Sequence, residues 1–285
     1  MLARFRAGVR LFLRLHPPDR TLQILPDDVF LVSFPKSGNT WTRFLIANLT
    51  HPETPANWAN ISRLIPDPED TSKKIFDRML RPRIIKSHEC FDPRYPKVIY
   101  IVRDPRDVAV SQYHFLRKCR HIPDGHPMEQ HINRFLTSEG SPYGSWGESV
   151  GTWLVARRND PRFLLVRYED LIDNTALELA RIAGFLGITA SEAQIQQAVE
   201  RSSAENMRKL EKQQSLQSSM TKTSRQDLPF VRNAKKGSWR EELPEFLVAK
   251  IEATWAPLMR CVGYELLTTV SDAKELDFVL NGIPG

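Results

Sequence analysis

The segment VFLVSFPKSGNTWTRFL, residues Val29 to Leu45, combines on one tight bend several residue types suited to binding an anion. Its strand-forming residues are predicted to end at Phe34, and a helical pattern begins near Thr40. Four backbone N–H groups would then lie at a helix N-terminus, where the helix dipole favours negative charge. They belong to Ser37, Gly38, Asn39 and Thr40. Lys36 adds a positive charge and Gly38 allows a sharp turn, so the bend suits a phosphate or a sulfate.

The order of the residues separates this bend from the loop that binds ATP in many kinases. That loop reads Gly-x-x-x-x-Gly-Lys-Ser/Thr, whereas here Lys36 comes before Gly38. An ordinary strand-to-helix turn with an exposed lysine explains these few residues equally well. The choice between the two interpretations therefore depends on the rest of the chain.

Three further motifs carry basic residues at comparable places. RIIKSHECF has Lys86 and His88 at the end of a second predicted strand, and VIYIVRDPRDVAVSQYHF has Arg103 at the end of a third, with Ser111 in the helix that follows. PFVRNAKKGSWRE contributes Arg232 in a basic loop. Ligands of an open parallel sheet bind beyond the carboxyl ends of its strands. The lysine of the bend, His88 and Arg103 are therefore predicted to face one site.

The elements that would position these residues alternate along the chain. Short apolar runs predict strands at Val29–Phe34, Arg83–Lys86, Lys97–Val102 and Arg162–Val166. Helical patterns cover Thr40–Leu49, Pro105–Arg117, Trp146–Arg158, Thr175–Leu186, Ser191–Arg201 and Glu245–Met259. Such alternation predicts a doubly wound α/β fold, a central parallel sheet flanked by helices. We expect one domain over residues 1–285, with an N-terminal extension at 1–25 and substrate or cofactor loops at 51–80, 119–145 and 210–238.

The composition excludes several classes of protein. The chain has 285 residues, 41% of them hydrophobic and 26% charged, which is ordinary for a globular protein and unlike collagen or a disordered chain. The net charge of +6 is spread along the sequence and by itself fits an enzyme with an anionic ligand as well as a nucleic-acid binder. We expect no nucleic-acid partner because the basic residues lie in separate motifs among many acidic residues. Cys90, Cys119 and Cys261 are an odd number without close pairing, which favours a reducing compartment and a cytoplasmic location. The basic N-terminal segment is too short and too charged to span a membrane.

Together the motifs resemble the sulfotransferase family that uses 3′-phosphoadenosine 5′-phosphosulfate (PAPS), particularly its soluble cytosolic-type members. FPKSGNTW and VRDPRDVAVSQYHF are similar to the family's phosphate-binding motifs, and SPYGSWGESVGTW and LLVRYEDL also have counterparts. The resemblance runs from Val29 to Trp239 in the family's order. It implies a P-loop-like fold and transfer of a sulfuryl group from PAPS to a hydroxyl, or alternatively an amine or guanidine, of a small-molecule acceptor. The second product would be 3′-phosphoadenosine 5′-phosphate (PAP), and no metal would be needed.

The resemblance also implies roles for individual residues. Those holding the 5′-phosphosulfate would be Lys36, Ser37, Gly38, Asn39 and Thr40. Those contacting the adenosine and its 3′-phosphate would be Trp41, Arg103, Ser111, Tyr168, Ser202, Arg232, Asn233 and Ala234. His88 would be the base that removes the acceptor proton, since a histidine titrates near neutrality. Lys36 would stabilise the leaving phosphate, and Lys86 would assist near the transferred group.

The sequence departs from the family pattern at three places. Arg232-Asn233-Ala234 stands where many members have Arg-Lys-Gly, so one positive charge is missing there. Ala204 replaces an aromatic residue that would contact the adenine, which would leave more of that contact to Trp41 and Tyr168. The dimerisation motif of many cytosolic members is not recognisable in WREELPEFLVAKI, and the oligomeric state is left open.

Other functions fit these motifs less well. A metal-dependent nucleotide phosphotransferase would need carboxylates for Mg²⁺, but Asp104, Asp107 and Asp170 serve equally well as helix caps. A nucleic-acid-binding module would need a concentrated basic stripe. The histidines and Cys119 of HFLRKCRHIPDGHPMEQH follow no zinc spacing, so this segment is better explained as a loop over the acceptor.

The acceptor itself is left open by the sequence. Aromatic residues in the predicted loops and the helix before them suggest an apolar or mixed pocket. They are Trp58, Phe76, Phe115 and Tyr143. By contrast, His121, Asp124 and Glu129 would suit a polar or cationic acceptor.

Overall fold

The computed structural model describes residues 22–218 and 221–268. Most of the predicted N-terminal extension, residues 1–21, lies outside the described residues. Four strands form a parallel sheet in the order β2-β1-β3-β4. Their bounds are Val29–Ser33 for β1, Ile84–Ser87 for β2, Lys97–Val102 for β3 and Phe163–Arg167 for β4. The predicted fold class is confirmed.

Apolar residues on both faces of the sheet explain why the strands read as nearly continuous apolar runs. In β1, Phe30 and Val32 pack into one hydrophobic cluster, whereas Val29 and Leu31 pack into another on the opposite face. Both pairs are buried. The sheet is therefore covered by helices on each side, as a doubly wound fold requires.

Helices connect and cover the strands of the described residues. Their bounds are α1 Asn39–Thr50, α2 Ile61–Leu64, α3 Lys73–Phe76, α4 Pro105–Lys118, α5 Met128–Phe135, α6 Trp146–Arg157, α7 Tyr168–Asp173, α8 Thr175–Leu186, α9 Glu192–Arg201, α10 Ala204–Gln214, α11 Trp239–Glu242 and α12 Glu245–Cys261. Capping boxes that begin with Ser145 and Ser191 start α6 and α9. Within residues 22–218 and 221–268, no helix has the length and apolar character needed to cross a membrane.

The sequence predictions differ from the structure mainly at element ends and in the loops. Strand β1 ends at Ser33 rather than at Phe34, and Tyr168, expected at a strand end, is the first residue of α7. The stretch 119–145, expected to be irregular, contains α5, and α10 extends into the stretch 210–238. Because His, Pro and Gly residues surround α5, its helical pattern was not recognised in the sequence.

The topology places one end of the sheet in a position to bind a ligand. The chain passes from the central strand β1 outward to β2, and then across β1 to β3. The strand order therefore reverses between β1 and β3, and the loops that follow these two strands leave the sheet in opposite directions. Such a crevice at the carboxyl ends of the strands is the usual ligand site of open α/β sheets.

Candidate active site

A cavity of about 460 Å³ lies at this end of the sheet. Thirteen of the fifteen residues predicted for the site contribute to its lining. They are Lys36, Gly38, Asn39, Thr40, Trp41, Lys86, His88, Arg103, Ser111, Tyr168, Arg232, Asn233 and Ala234. The other two, Ser37 and Ser202, are buried behind the cavity wall.

The bend after β1 has the conformation that an anion site needs. Gly38 has φ 98°, and a Cβ atom there would lie 2.5 Å from Cδ2 of Tyr168, so no other residue fits without a shift. Helix α1 begins at Asn39 without a side-chain cap, which leaves its first N–H groups available to a ligand. One predicted donor is engaged within the bend, because the Ser37 N–H donates to the Phe34 carbonyl at 3.3 Å.

Asn39 joins the start of α1 to the end of β1. Its buried side-chain amide donates to the Leu31 carbonyl at 3.2 Å and to the Ser33 hydroxyl at 3.3 Å. The Ser37 hydroxyl beside it is buried without a hydrogen-bond partner. Because a buried hydroxyl without a partner is costly, a ligand oxygen at this place would be stabilised.

Lys36 carries the positive charge of the bend. Its Nζ lies 4.1 Å from the ring centroid of Phe115 and 4.6 Å from that of Phe230. Burial, and after it the neighbouring cations Arg103 and Arg232, lower the pKa of Lys36 to about 8. The ammonium group is held by two aromatic faces and would gain from an anionic partner.

Arg103 contacts both loops that enclose this end of the cavity. Its guanidinium donates to the carbonyl of Lys36 at 3.3 Å and to that of Lys235 at 3.1 Å. The same group lies 4.3 Å from the ring centroid of Tyr168, and its Nε is buried without a partner. The arginine thus positions the two loops and keeps one donor free.

The loop after Arg232 is held by α4 and α11. The Asp107 carboxylate accepts from the Gly237 N–H at 2.6 Å, the Ser238 hydroxyl at 3.0 Å and the Trp239 N–H at 3.1 Å. Asp104, also considered as a metal ligand, instead caps α4 and pairs with Arg106. Both carboxylates therefore serve the fold.

Glu242 on α11 links two residues near the predicted 3′-phosphate position. One of its oxygens accepts from Arg232 at 2.5 Å, and the other pairs with Nε2 of His114 at 2.5 Å. His114 follows Ser111 by one turn of α4, and Ser111 lines the cavity. Arg232 therefore reaches the cavity while paired with a carboxylate that is not part of its lining.

Trp41 and Tyr168 form the aromatic wall expected for the adenine. Their rings meet edge to face with centroids 5.9 Å apart. The Trp41 indole N–H donates to the carbonyl of Ser202 at 3.0 Å, and the Ser202 hydroxyl accepts from Asn48 at 2.9 Å. The structure does not bring Ser202 into the cavity, and its contacts position Trp41 from behind.

His88 is held in one tautomer by the end of β1. Its Nδ1 lies 2.7 Å from the Ser33 carbonyl oxygen, which can only accept, so Nδ1 carries the proton. Burial, and then the nearby Lys86 ammonium, lower the pKa of His88 to about 3. The imidazole is therefore neutral at physiological pH, with the lone pair on Nε2 available to take a proton.

Lys86 does not extend freely into the cavity. Its Nζ is bound to the carboxylate of Asp67, and the two side chains are only 11% and 12% exposed. Burial alone would raise the pKa of Asp67, but the attraction of the Lys86 ammonium prevails and lowers it. The two residues form a nearly buried ion pair beside His88.

The acidic side of the cavity was not predicted from the sequence. Asp67, Glu69 and Asp70 all contribute to the lining, and the hydroxyl of Tyr143 donates to Glu69. Partial loss of solvent at the cavity rim, and then the charge of Asp67, raise the pKa of both Glu69 and Asp70. The signal was the run PDPED at 66–70, inside a stretch already expected to be a substrate loop.

Of the aromatic residues suggested for the acceptor pocket, two line the cavity and two do not. Phe115 and Tyr143 contribute to the lining, whereas Trp58 and Phe76 pack into the hydrophobic core. The polar residues suggested for it also lie elsewhere. Asp124 pairs with Arg117 and Arg225, Glu129 pairs with Lys250, and His121 is not among the lining residues. The acidic character assigned to those residues comes instead from the segment 67–70.

A histidine base and an uncapped helix N-terminus on one parallel α/β cavity are features of a group-transfer enzyme with an anionic donor. The family model described as "Sulfotransferase domain" matches residues 26–263. Sulfotransferase 1E1 of Bos taurus is 26% identical over 250 residues, covering 82% of this chain and 84% of that protein. Sulfotransferase 1B1 of Mus musculus is 27% identical over 271 residues, covering 88% and 89%.

Solved structures agree with this match. Retinol dehydratase in a complex with retinol and PAP superposes with a TM-score of 0.70 at 22% identity, covering 91% of this chain and 88% of that one. A mouse sulfotransferase complexed with PAP gives a TM-score of 0.66 at 25% identity, covering 84% and 86%. The chain belongs to the sulfotransferase family. The predicted family and enzyme class are confirmed, and the phosphotransferase alternative is not favoured.

Proposed function

We propose that the protein transfers the sulfuryl group of PAPS to a hydroxyl group of a small-molecule acceptor. The observation that carries this proposal is the shared position of two groups at the end of β1. The Ser33 carbonyl holds His88 as a neutral base, and the bend that begins at the next residue presents Lys36 and an uncapped helix N-terminus. One cavity contains both groups.

The residues of the bend fit the 5′-phosphosulfate of PAPS. The first N–H groups of α1, the buried hydroxyl of Ser37 and the Lys36 ammonium would bind its oxygens. Arg103, Ser111 and Arg232 would bind the 3′-phosphate, since an arginine can donate to two phosphate oxygens at once. The PAP complexes of the related structures support this assignment of the donor.

The transfer needs one proton acceptor and one stabilised leaving group. The acceptor oxygen forms a bond to sulfur while the bond from sulfur to the phosphate oxygen breaks. The hydroxyl proton passes to Nε2 of His88, and negative charge develops on the leaving phosphate. Lys36, with a pKa of about 8, is largely protonated at neutral pH and stabilises that charge. These groups suffice without a metal ion.

A hydroxyl group fits this base better than an alkylamine does. His88 is neutral at physiological pH and can take the proton of a neutral hydroxyl as the new bond forms. An alkylamine is protonated at neutral pH and would first have to lose a proton. The acidic wall suits a positive charge elsewhere in the acceptor, because Glu69 and Asp70 line the same cavity. We therefore favour an alcohol or phenol that also carries a cationic group.

The remaining predictions are kept as part of this proposal. The chain acts as one domain over residues 1–285, in the cytoplasm, without a nucleic-acid partner. The three cysteines, Cys90, Cys119 and Cys261, form no disulfide bond in the structure, which fits a reducing compartment.

Calorimetric titration with PAP in the absence of divalent metal tests the donor assignment. We expect tight binding to the wild type and a loss of about tenfold or more in Arg103→Ala, which removes a guanidinium from the phosphate site. Arg162→Ala is the matched control, because Arg162 is exposed and pairs only with Asp160 among the described residues. Binding of ATP with Mg²⁺ in place of PAP would contradict the proposal.

A further inference from the structure

We propose that Asp67 is a positioning residue for sulfuryl transfer, which acts by holding the Lys86 ammonium beside His88. This inference rests on the proposed function, since it concerns the same cavity. Neither residue type nor spacing reveals the pair, because Asp67 lies in the segment before β2 and Lys86 within β2 itself.

The carboxylate of Asp67 is fixed at both oxygens. Oδ1 accepts from the backbone N–H of Glu69 at 3.1 Å, and Oδ2 accepts from Nζ of Lys86. The backbone adds a second connection, because the Lys86 N–H donates to the carbonyl of Pro66 at 2.8 Å. The segment that carries Asp67 is therefore attached to β2 at the residue whose side chain the carboxylate binds.

Because both side chains are buried, each charge needs the other as its partner. The residue Asp67 is 8% exposed and Lys86 is 9% exposed, so neither charge is well solvated. Removing one partner of a buried pair leaves the other charge uncompensated, which costs more than the pair itself contributes. Without Asp67, the Lys86 ammonium would move toward solvent and away from His88.

Several charged groups face His88 and Lys86 from the surrounding elements. Arg43 on α1 is buried and donates to the carbonyls of Ile61 and Ile65 at 3.3 and 2.6 Å. Glu69 and Asp70 lie on the same segment as Asp67 and are exposed at the cavity rim. Asp67 is the carboxylate in direct contact with Lys86 among the described residues. The position of the Lys86 ammonium thus depends mainly on this one contact.

A double-mutant cycle distinguishes positioning through Lys86 from an independent role. With tyramine as the acceptor, we expect Asp67→Asn to lower kcat by about tenfold, and Asp67→Glu to restore part of the loss. In a Lys86→Met background, Asp67→Asn should cause no further loss, because the group it positions is absent. Independent losses that multiply in the double variant would overturn the proposal.

A second measurement does not depend on finding a substrate. The Nζ signal of Lys86, observed by ¹⁵N NMR at neutral pH and assigned with Lys86→Met, should shift in Asp67→Asn, and its protons should exchange faster with water than in the wild type. The carboxylate that accepts from this ammonium is then absent. An unchanged signal and exchange rate would overturn the proposal even if activity fell.

Controls separate this inference from the proposed function. Asp77→Asn removes an exposed carboxylate that pairs with Lys73 in the same stretch, and it should change neither kcat nor the Lys86 signal. PAP affinity should be equal in Asp67→Asn and the wild type, because the proposed donor contacts come from other elements. Failure of the wild type to bind PAP would contradict the proposed function, whereas normal PAP binding with an unchanged Lys86 signal in Asp67→Asn would contradict only the role of Asp67.

Discussion

The two ends of the cavity are built in different ways. The end proposed to bind PAPS, called the donor end, is cationic. Its Lys36 and Arg103 closely follow β1 and β3, and its Arg232 lies in the loop before α11. The acceptor end is acidic and aromatic, and its Asp67, Glu69 and Tyr143 come from segments between regular elements. The charge of the donor end matches a polyanion, whereas the charge of the acceptor end would repel one.

The side chains at the two ends are also held in place by different kinds of contact. At the donor end, Arg103 directly follows β3 and is positioned by the backbone carbonyls of Lys36 and Lys235, which lie in loops. Groups at the acceptor end are positioned by side chains of other loops, such as Tyr143 on Glu69. We expect the contacts at the donor end to be the same for any acceptor, whereas the contacts at the acceptor end can differ with the molecule that is sulfated.

The largest expected effect concerns the base at the junction of the two ends. His88→Gln should lower kcat by about 10²- to 10⁴-fold, because it removes the proton acceptor. PAP affinity should stay within about twofold, since His88 belongs to the acceptor end. Steady-state kinetics and calorimetry on the same preparation would check both. A loss of PAP affinity in the same variant would contradict the assignment of His88 to the acceptor end.

A pH profile tests the donor end through Lys36. Because burial lowers the pKa of Lys36 to about 8, its charge is present below that pH and is lost above it. The value of kcat/KM for PAPS should therefore fall by about tenfold per pH unit above pH 8. Lys36→Arg should remove this basic limb. No acid limb from His88 is expected between pH 5 and 7, since its pKa is about 3.

A backbone change tests whether the bend itself is required. Gly38→Ala would place a Cβ 2.5 Å from Cδ2 of Tyr168 at φ 98°. We expect the free energy of unfolding to fall by about 1–3 kcal/mol and PAP affinity to fall by about tenfold. Gly184→Ala is the matched control, because nothing lies within 4 Å of its Cβ position. Chemical denaturation and calorimetry would report the two effects.

The smallest expected effect tests whether the acidic residues of the acceptor end favour a cationic acceptor. Tyramine and 4-ethylphenol differ in an ammonium group, so their ratio of kcat/KM reports the acidic wall. We expect tyramine to be preferred, and Glu69→Gln with Asp70→Asn to reduce the preference by about threefold to tenfold. Asp124→Asn should leave the ratio unchanged, because Asp124 pairs with Arg117 and Arg225 outside the cavity. Equal preference in all variants would contradict a cationic acceptor.

Most of the donor end could be predicted from the sequence, because its groups lie next to elements with clear patterns. The strand Lys97–Val102 and the helix Thr175–Leu186 were predicted with the bounds that the structure has. The motif of the bend identified Lys36 and Gly38 directly. The roles of these residues in binding PAPS stay predictions until they are measured.

The acceptor end could not be predicted to the same extent, since its contacts join residues far apart in the chain. Nothing in the sequence connects Asp67 to Lys86, or Glu69 to Tyr143. Trp58 was expected in the pocket because an aromatic residue in a loop resembles a binding residue, but it is buried in the core. Burial depends on packing that one sequence does not reveal.

Ser33 gives both ends a common reference point. Its carbonyl holds His88, its hydroxyl accepts from Asn39 at the start of α1, and the donor bend follows it directly. The spacing between base and donor is therefore set inside the sheet and does not depend on Glu69, Asp70 or Tyr143. Exchanging those three residues for the ones in a relative, with Asp67 kept in place for Lys86, should transplant acceptor choice and leave the reaction intact. The protein can then be treated as a fixed catalytic unit with interchangeable recognition residues.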